Sequence, residues 1–256
     1  MKNSNSVELI DYMGSDKLHS LAAWASTFAE FDLDLPDDIE NRVDVIVNHI
    51  LNNGKRKRSI EDLLSFLSEN EHTSPFRFSS FVFACNTDIA THIQKLKHRV
   101  ILEAENGESA RYKELQEDKF YLPEDWKNLD GTFAYLNNMN SDNTFKTHDD
   151  CDQTWYNLLK QYTQLGNDLY HDCLEDLTPI LGKKRAKETA RYFKTYNSQI
   201  NTLNKLSFDG VMQFYYKRHD KTYVQNEIAD LAISMVNCIK NIPNNPFEYS
   251  LKAFNV

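Results

Sequence analysis

An α+β fold is predicted by three features of this sequence. The N-terminal half holds two segments with alternating apolar residues, Val7–Tyr12 and Phe76–Cys85, and such alternation marks a half-buried strand. Other segments repeat apolar residues every three or four positions, the spacing of an amphipathic helix. The C-terminal half reads as helix throughout. Strands and helices are therefore segregated, which favours a small mixed or antiparallel sheet with helices packed against it.

After the opening strand, Leu18–Thr27 reads as a short helix. Asp37–Asn52 carries Ile39, Val43, Ile46, Val47, Ile50 and Leu51 at helical spacing with acidic residues in its first turn, and Asn53-Gly54 is a stop signal. The basic run Lys55–Arg58 reads as solvated surface, and Ser59–Ser68 as a helix presenting Ile60, Leu63, Leu64 and Leu67 on one side. The Phe76–Cys85 strand leads to a helix over Thr87–Lys97, then to a loop around Gly107. Residues 137–147, rich in Asn, Asp and Thr, read as a surface excursion. Helices are predicted over Trp155–Leu177, Lys183–Lys194, Phe208–Lys217 and Tyr223–Asn241, the last ended by Pro243 and Pro246. No repeat or linker divides the chain, so one domain over 1–256 is expected, and 41% hydrophobic residues suffice for a substantial core.

The net charge of −9 repels a polyphosphate backbone, which argues against nucleic acid as a partner while permitting a mononucleotide in a local basic pocket. Four scattered cysteines without Cys-x-x-Cys spacing suggest neither zinc nor a disulfide framework, and no metal is expected. The polar N-terminus and the lack of a long apolar run point to a cytoplasmic protein without membrane attachment.

Candidate binding residues concentrate between His72 and Tyr112. His72-Thr73-Ser74-Pro75-Phe76 is followed by Gln94, by Lys97-His98-Arg99, and by Asn106-Gly107-Glu108-Ser109-Ala110-Arg111-Tyr112. Gln94 offers a donor and an acceptor to a base, while Ser109 and Arg111 offer a hydroxyl and a planar fork of donors suited to a phosphate or a uracil-like edge. Gln94, Lys97 and His98, three and four residues apart, share a helix face. Further along stand Ala190-Arg191, then Met212-Gln213-Phe214-Tyr215-Tyr216-Lys217-Arg218, then Val224-Gln225-Asn226-Glu227-Ile228.

In this order and spacing the segments resemble the flavin-dependent thymidylate synthases, whose pattern runs Arg-His-Arg, a spacer, then Asn-Glu-x-Ser-x-Arg-Tyr, with a later Ala-Arg, an Asn-Phe-x-x-x-Arg segment and an Ala-Gln-x-Glu-Ile helix. The opening Val7–Gly14 and Ala22–Ser26 also resemble the family's first strand and helix, so the likeness covers nearly the whole chain. It implies a homotetramer with active sites shared between subunits, binding FAD, deoxyuridine monophosphate and methylenetetrahydrofolate, with NADPH as reductant. By position, Arg218 is the arginine that polarises the pyrimidine, Arg191 binds the nucleotide, Gln94 orients it, and Ser109 and Arg111 hold the phosphate side. The cofactor set implied is Ser26, His72, Ser74, Lys97, His98, Arg99, Asn106 and Gln213. No protein nucleophile is implied.

Departures from the pattern cluster on the flavin side. Lys97 replaces the first Arg, two extra residues separate Arg99 from Asn106, and the motif Glu falls on Gly107, with Glu105 and Glu108 beside it. Trp24 stands for an Arg, Arg77 and Phe78 for a Glu and a His, Gln213 for the Asn, and Asp209 for an Arg. A carboxylate at 209 is expected to repel a pyrophosphate unless screened, and Trp24 and Phe78 are placed either to stack on a flavin or to fill core. Two other readings of the same residues stand beside dUMP methylation. One is a different modification of the pyrimidine, such as hydroxymethylation. The other is a non-catalytic nucleotide-binding homologue.

Overall fold

The computed structural model describes residues 4–26, 35–53, 58–98, 101–109, 111–115, 117–127 and 154–256. Its sheet consists of β1 (Ser6–Met13), β2 (Ser80–Asp88), β3 (Leu102–Gly107) and β4 (Gln199–Leu206), antiparallel and in the order β1-β2-β4-β3. The helices are α1 (Asp16–Ala25), α2 (Arg42–Asn52), α3 (Ile60–Glu69), α4 (Ile89–Leu96), α5 (Trp155–Leu181), α6 (Lys183–Ala190), α7 (Phe208–Arg218), α8 (Asn226–Lys240) and α9 (Glu248–Ala253). The predicted α+β class and the neighbouring Val7 and Phe76 strands are present.

Several boundaries differ from the sequence reading. The Asp37–Asn52 segment begins as a 3-10 turn, Ile39–Asn41, because the Asp38 carboxylate accepts the Glu40 N–H and holds the entry tight before α2. The strand predicted from Phe76 starts only at Ser80, since Pro75 opens a 3-10 turn over Ser74–Arg77. Thr87 and Asp88 extend that strand instead of starting a helix, and the Asp88 carboxylate accepts the Thr91 N–H at 2.8 Å at the head of α4. The loop around Gly107 contains the edge strand β3, Leu-Glu-Ala-Glu-Asn-Gly, whose only apolar side chains are Leu102 and the small Ala104. The all-helical C-terminal half is corrected by β4, which lies between β2 and β3. Residues 191–193 of the predicted Lys183–Lys194 helix form a 3-10 turn, and α9 was not foreseen. Residues 55–57 and 137–147 lie outside the described residues.

The chain forms two compact units, each assembled from separate segments. One comprises residues 6–85, 94–106 and 202–256, the other 1–5, 86–93 and 107–201. In the first, β2 buries Phe81, Phe83 and Cys85 and exposes the alternate positions more, the face pattern a strand demands. These residues meet Phe208 of α7, Phe247, and Met235, Val236 and Ile239 of α8 in the main core. Phe81 and Phe247 rings lie 4.9 Å apart, and Phe76 meets Phe254 edge-on at 4.9 Å. Each such side chain contributes about 1.5–3 kcal/mol on burial. A smaller cluster joins Trp24 of α1 to Ile46, Val47 and Ile50 of α2. Gly14, at φ +111°, ends β1 where any Cβ would come within 2.6 Å of the Ser79 side chain.

A buried polar chain fastens α1 to α9 in this unit. The Asp16 carboxylate accepts the Tyr249 and Ser250 N–H groups at 2.7 and 2.9 Å and also the Ser250 hydroxyl. His19 Nδ1 lies 2.9 Å from Ser250 Oγ and Nε2 lies 2.9 Å from Ser79 Oγ. Because the Ser250 proton goes to Asp16, Nδ1 donates to Ser250, and burial keeps the imidazole neutral, so Nε2 accepts from Ser79. Burial pushes its pKa down to about 3.

The second unit is built on the pairing of α5 with α6. Tyr170 and Leu174 of α5 pack on Ala186 and Ala190 of α6, and the Tyr170 hydroxyl accepts the Leu115 N–H at 3.1 Å. Gly166 allows the Phe193 carbonyl to approach α5, where a Cβ would stand 2.6 Å from that oxygen.

Candidate functional site

Arg218 and His98 come together within the first unit. α7 is started by Ser207, whose Oγ accepts the Gly210 N–H, and buries Phe208, Val211, Met212 and Phe214. Arg218 thereby falls on its last turn, where the helix dipole favours a cation. Its Nε donates to His98 Nε2 at 2.9 Å, and the His98 ring stands edge-on to Phe214 with centroids 5.2 Å apart. Burial, followed by the Arg218 and Lys217 charges, lowers the His98 pKa below its usual 6.5. The ring therefore carries its proton on Nδ1.

The segment bearing Gln94 and His98 is anchored by a residue that the sequence reading did not single out. Lys95, 4% exposed, donates to Asn204 Oδ1 at 2.5 Å and Thr202 Oγ1 at 3.3 Å, and its ammonium lies 3.1 Å from Glu105. On either side of it, Gln94 has a buried amide oxygen without a hydrogen-bond partner among the described residues, and Lys97 is exposed. Glu105, one of the two acids near Gly107, is thus committed to Lys95. Glu108, the other, accepts the Asn201 N–H at 2.9 Å and the Lys113 ammonium at 3.0 Å in the second unit.

The repulsion expected at Asp209 holds only for an unscreened carboxylate, and here the carboxylate is paired. Asp209 is 1% exposed, its Oδ2 lies 3.2 Å from Arg77 Nε, and it accepts the Gln213 amide at 2.9 Å. Two departures from the family pattern, Arg77 and Asp209, therefore form one ion pair between the Ser74–Arg77 turn and α7, and a third departure, Gln213, completes it. Trp24, 4% exposed, fills core and is not a stacking platform, whereas Phe78 is exposed. Arg77→Ala is expected to lower stability by about 1–2 kcal/mol, discounted from buried pairs because Arg77 is half exposed. Urea unfolding of Arg77→Ala, Asp209→Ala and the double variant checks this, and additive losses would dismiss the pair.

The other implied cofactor residues are Ser26, His72, Ser74, Lys97 and Asn106, all exposed and all in the first unit. Ser26 Oγ donates to the Ala23 carbonyl at 3.0 Å, and His72 meets Phe66 edge-on. Arg99 lies outside the described residues. Exposed Lys97, His72, Ser74, Asn106 and Arg77 are donors of the kind an anionic dinucleotide needs, and Asp209 is neutralised. The residues present fit FAD in donor chemistry.

The substrate set divides between the units. Gln94 and Arg218 belong to the first, and Ser109, Arg111 and Arg191 to the second. In the second unit both arginines are tied to Glu188 of α6. Arg111 Nε donates to Glu188 Oε1 at 3.1 Å and Arg191 Nε donates to the Glu188 carbonyl at 3.1 Å. The Arg111 hydrogen bond holds the Glu188 carboxyl below its usual range, and Arg185 lies 3.6 Å from its other oxygen. Ser109 closes the turn before Arg111, its Oγ accepting the Arg111 N–H at 3.3 Å. Glu188 escaped the sequence reading. Its only signal is its place three residues after Arg185 and three before Arg191, on one helix face.

The Asp16, Ser250 and His19 chain has the residue types of a hydrolase triad, but Ser250 and His19 are fully buried and no hydroxyl faces solvent. It is structural. Among the described residues no group of three or more His, Cys, Asp or Glu side chains is placed to hold a metal, and no helix is long and apolar enough to cross a membrane.

No curated protein matches the chain by sequence. The fold is similar to that of a UMP/dUMP methylase, PolB from Streptomyces cacaoi, in its crystal structure with 5-Br dUMP, at 23% identity and a TM-score of 0.66 over 98% of this chain and 95% of that one. The PolB structure with 5-Br UMP gives 22% identity and a TM-score of 0.64 over the same shares. The profile of the thymidylate synthase complementing protein family, Thy1, matches residues 8–244. With the motif spacing, the four-stranded α+β fold and that match in agreement, the chain belongs to the Thy1 family, the flavin-dependent thymidylate synthases.

Proposed function

We propose that this protein methylates the pyrimidine ring of deoxyuridine monophosphate, taking the carbon from methylenetetrahydrofolate and reducing power from NADPH, as a cytoplasmic homotetramer with shared active sites formed by the single domain 1–256. The observation that carries the reading is the tethering of Arg111 and Arg191 by Nε to one residue, Glu188, which among the described residues leaves the terminal nitrogens of both forks for a phosphate. Gln94 supports it, because a buried amide oxygen without a partner among the described residues costs about 1–3 kcal/mol and a uracil N–H would satisfy it. PolB, described as a UMP/dUMP methylase and bound to 5-bromo nucleotides, supports a pyrimidine mononucleotide as substrate class.

In this reading the nucleotide is oriented by Gln94 and held at its phosphate by Ser109, Arg111 and Arg191. Arg218 stabilises negative charge that develops on the pyrimidine as its ring is attacked, the role of an oxyanion-hole donor. FAD would be held by Ser26, His72, Ser74, Lys97, His98, Arg99, Asn106 and Gln213, and would supply hydride-transfer chemistry when bound. No serine or cysteine nucleophile is needed.

Arg111→Ala is expected to weaken deoxyuridine monophosphate binding by about 1.5–3 kcal/mol, with deoxyuridine much less affected. Calorimetric titration of both ligands checks this, with Arg191→Ala alongside. Equal losses for nucleotide and nucleoside would move Arg111 off the phosphate, and no loss for either would reject the nucleotide site. Flavin absorbance on FAD addition and mass analysis of the product test the rest. A hydroxymethylated product would replace methylation with the other modification, and a nucleotide bound without turnover would make the chain a non-catalytic homologue.

A further inference from the structure

His98 and Arg218 are 120 positions apart in sequence, yet their side chains share the hydrogen bond of 2.9 Å from Arg218 Nε to His98 Nε2. Arginine can only donate, so the imidazole must present a lone pair at Nε2. The charged groups that act on the ring, Arg218 and Lys217, are both cations from α7, and Phe214 of the same helix covers its edge. Lys97 precedes His98 and is exposed. On the α4 side the backbone holds the ring's base, with the His98 N–H donating to the Lys95 carbonyl at 3.0 Å, and Lys95 itself is fixed in the buried Thr202, Asn204 and Glu105 cluster. His98 is therefore a rigid acceptor on one side and Arg218 a long, rotatable side chain on the other.

We propose that His98 is a positioning residue for Arg218: by accepting from Nε it fixes the plane of the guanidinium and leaves the terminal nitrogens for the pyrimidine. This rests on the reading of Arg218 as the ring-polarising group. The bond exists only while the imidazole is neutral. Protonation would set two cations against each other and release the guanidinium, so turnover acquires an acid limb below pH 6.5, in keeping with the lowered proton affinity of the ring. Glutamine at 98 can place an amide oxygen near the Nε2 position and accept at every pH, whereas alanine cannot accept at all.

The test compares His98→Ala, His98→Gln and Arg218→Ala as full-length, FAD-loaded protein, with kcat and KM for deoxyuridine monophosphate measured from pH 5 to 8 and FAD affinity measured separately. His98→Ala is expected to lower kcat by about 10–100-fold, the range that misplacement of a catalytic group produces, with KM little changed. His98→Gln should recover most of that loss and show no acid limb where the wild type has one. Acid loss of stability from His19 is common to both proteins, so the difference between their profiles reports position 98. Wild-type kcat and profile in His98→Ala, or a loss explained by failure to bind FAD, would overturn the proposal. So would a His98→Gln protein that keeps the wild-type acid limb. If Arg218→Ala retains full turnover, it is the reading of the site that fails; if Arg218→Ala is inactive while His98→Ala is unimpaired, it is this inference alone.

Discussion

Arg218→Ala is expected to lower kcat by 10²–10³-fold, about 2.7–4 kcal/mol, while nucleotide affinity changes little. A donor that acts on charge present only during attack on the ring stabilises the transition state and not the bound nucleotide, so its loss appears in kcat. The location of Arg218 supports this assignment of cost. The residue ends a helix whose inner face is locked by Phe208, Val211, Met212 and Phe214, and its Nε is already held by His98, so the guanidinium is oriented before any ligand arrives. Arg218→Lys should recover little, because an ammonium keeps the charge but loses the planar fork and the Nε contact with His98. Steady-state kinetics on FAD-loaded protein, with calorimetric nucleotide binding, provide the check. Turnover unchanged in Arg218→Ala would show that another residue polarises the ring.

The second large effect is acid destabilisation through His19. Unfolded, this imidazole titrates at its ordinary 6.5, and folded it resists protonation down to about 3. A group whose folded pKa is depressed contributes stability that is complete above pH 6.5. As pH falls the unfolded chain takes up a proton that the folded one refuses, and the contribution declines until pH reaches about 3. At 1.36 kcal/mol per pH unit the total is on the order of 5 kcal/mol. Asp16 works in the opposite direction, since burial raises its pKa and the folded state then protonates first, which offsets part of the loss near the bottom of the window. Urea unfolding at pH 7, 6, 5 and 4 should give a clear decline for the wild type. The decline should be shallower for His19→Gln, which starts less stable at pH 7 because Gln fits the Ser79 and Ser250 partners less well. Parallel slopes for the two proteins would remove His19 as the source.

The residues that answered to the sequence reading are those whose role is apolar or local. β1, β2, α1, α3, α7 and most of α8 were legible because apolar spacing reports which face is buried, while the family pattern nominates Gln94, Ser109, Arg111, Arg191 and Arg218 by order and spacing. β4 was not legible. Its buried positions include Gln199, Thr202 and Asn204, so a central strand carries no hydrophobic alternation and reads as polar chain until its partners are known. β3 failed for a related reason: an edge strand needs one ladder of backbone hydrogen bonds and little apolar burial, and neither leaves a mark in side-chain type.

The same division holds for the candidate site. The sequence by itself determined which side chains were available: a basic and amide-rich set in an acidic chain, at family spacing. Only the tertiary structure decided what they bind within the protein, that Asp209 is neutralised by Arg77, that Arg111 and Arg191 are both tied to Glu188, that Lys95 is buried among Thr202, Asn204 and Glu105, and that His98 accepts from Arg218. The physical reason lies in how the two kinds of information are stored. Apolar burial is non-directional and repeats along a helix or strand, so a single chain segment records it, whereas a hydrogen bond or ion pair between groups dozens to more than a hundred residues apart exists only when folding sets two atoms within about 3 Å at a suitable angle.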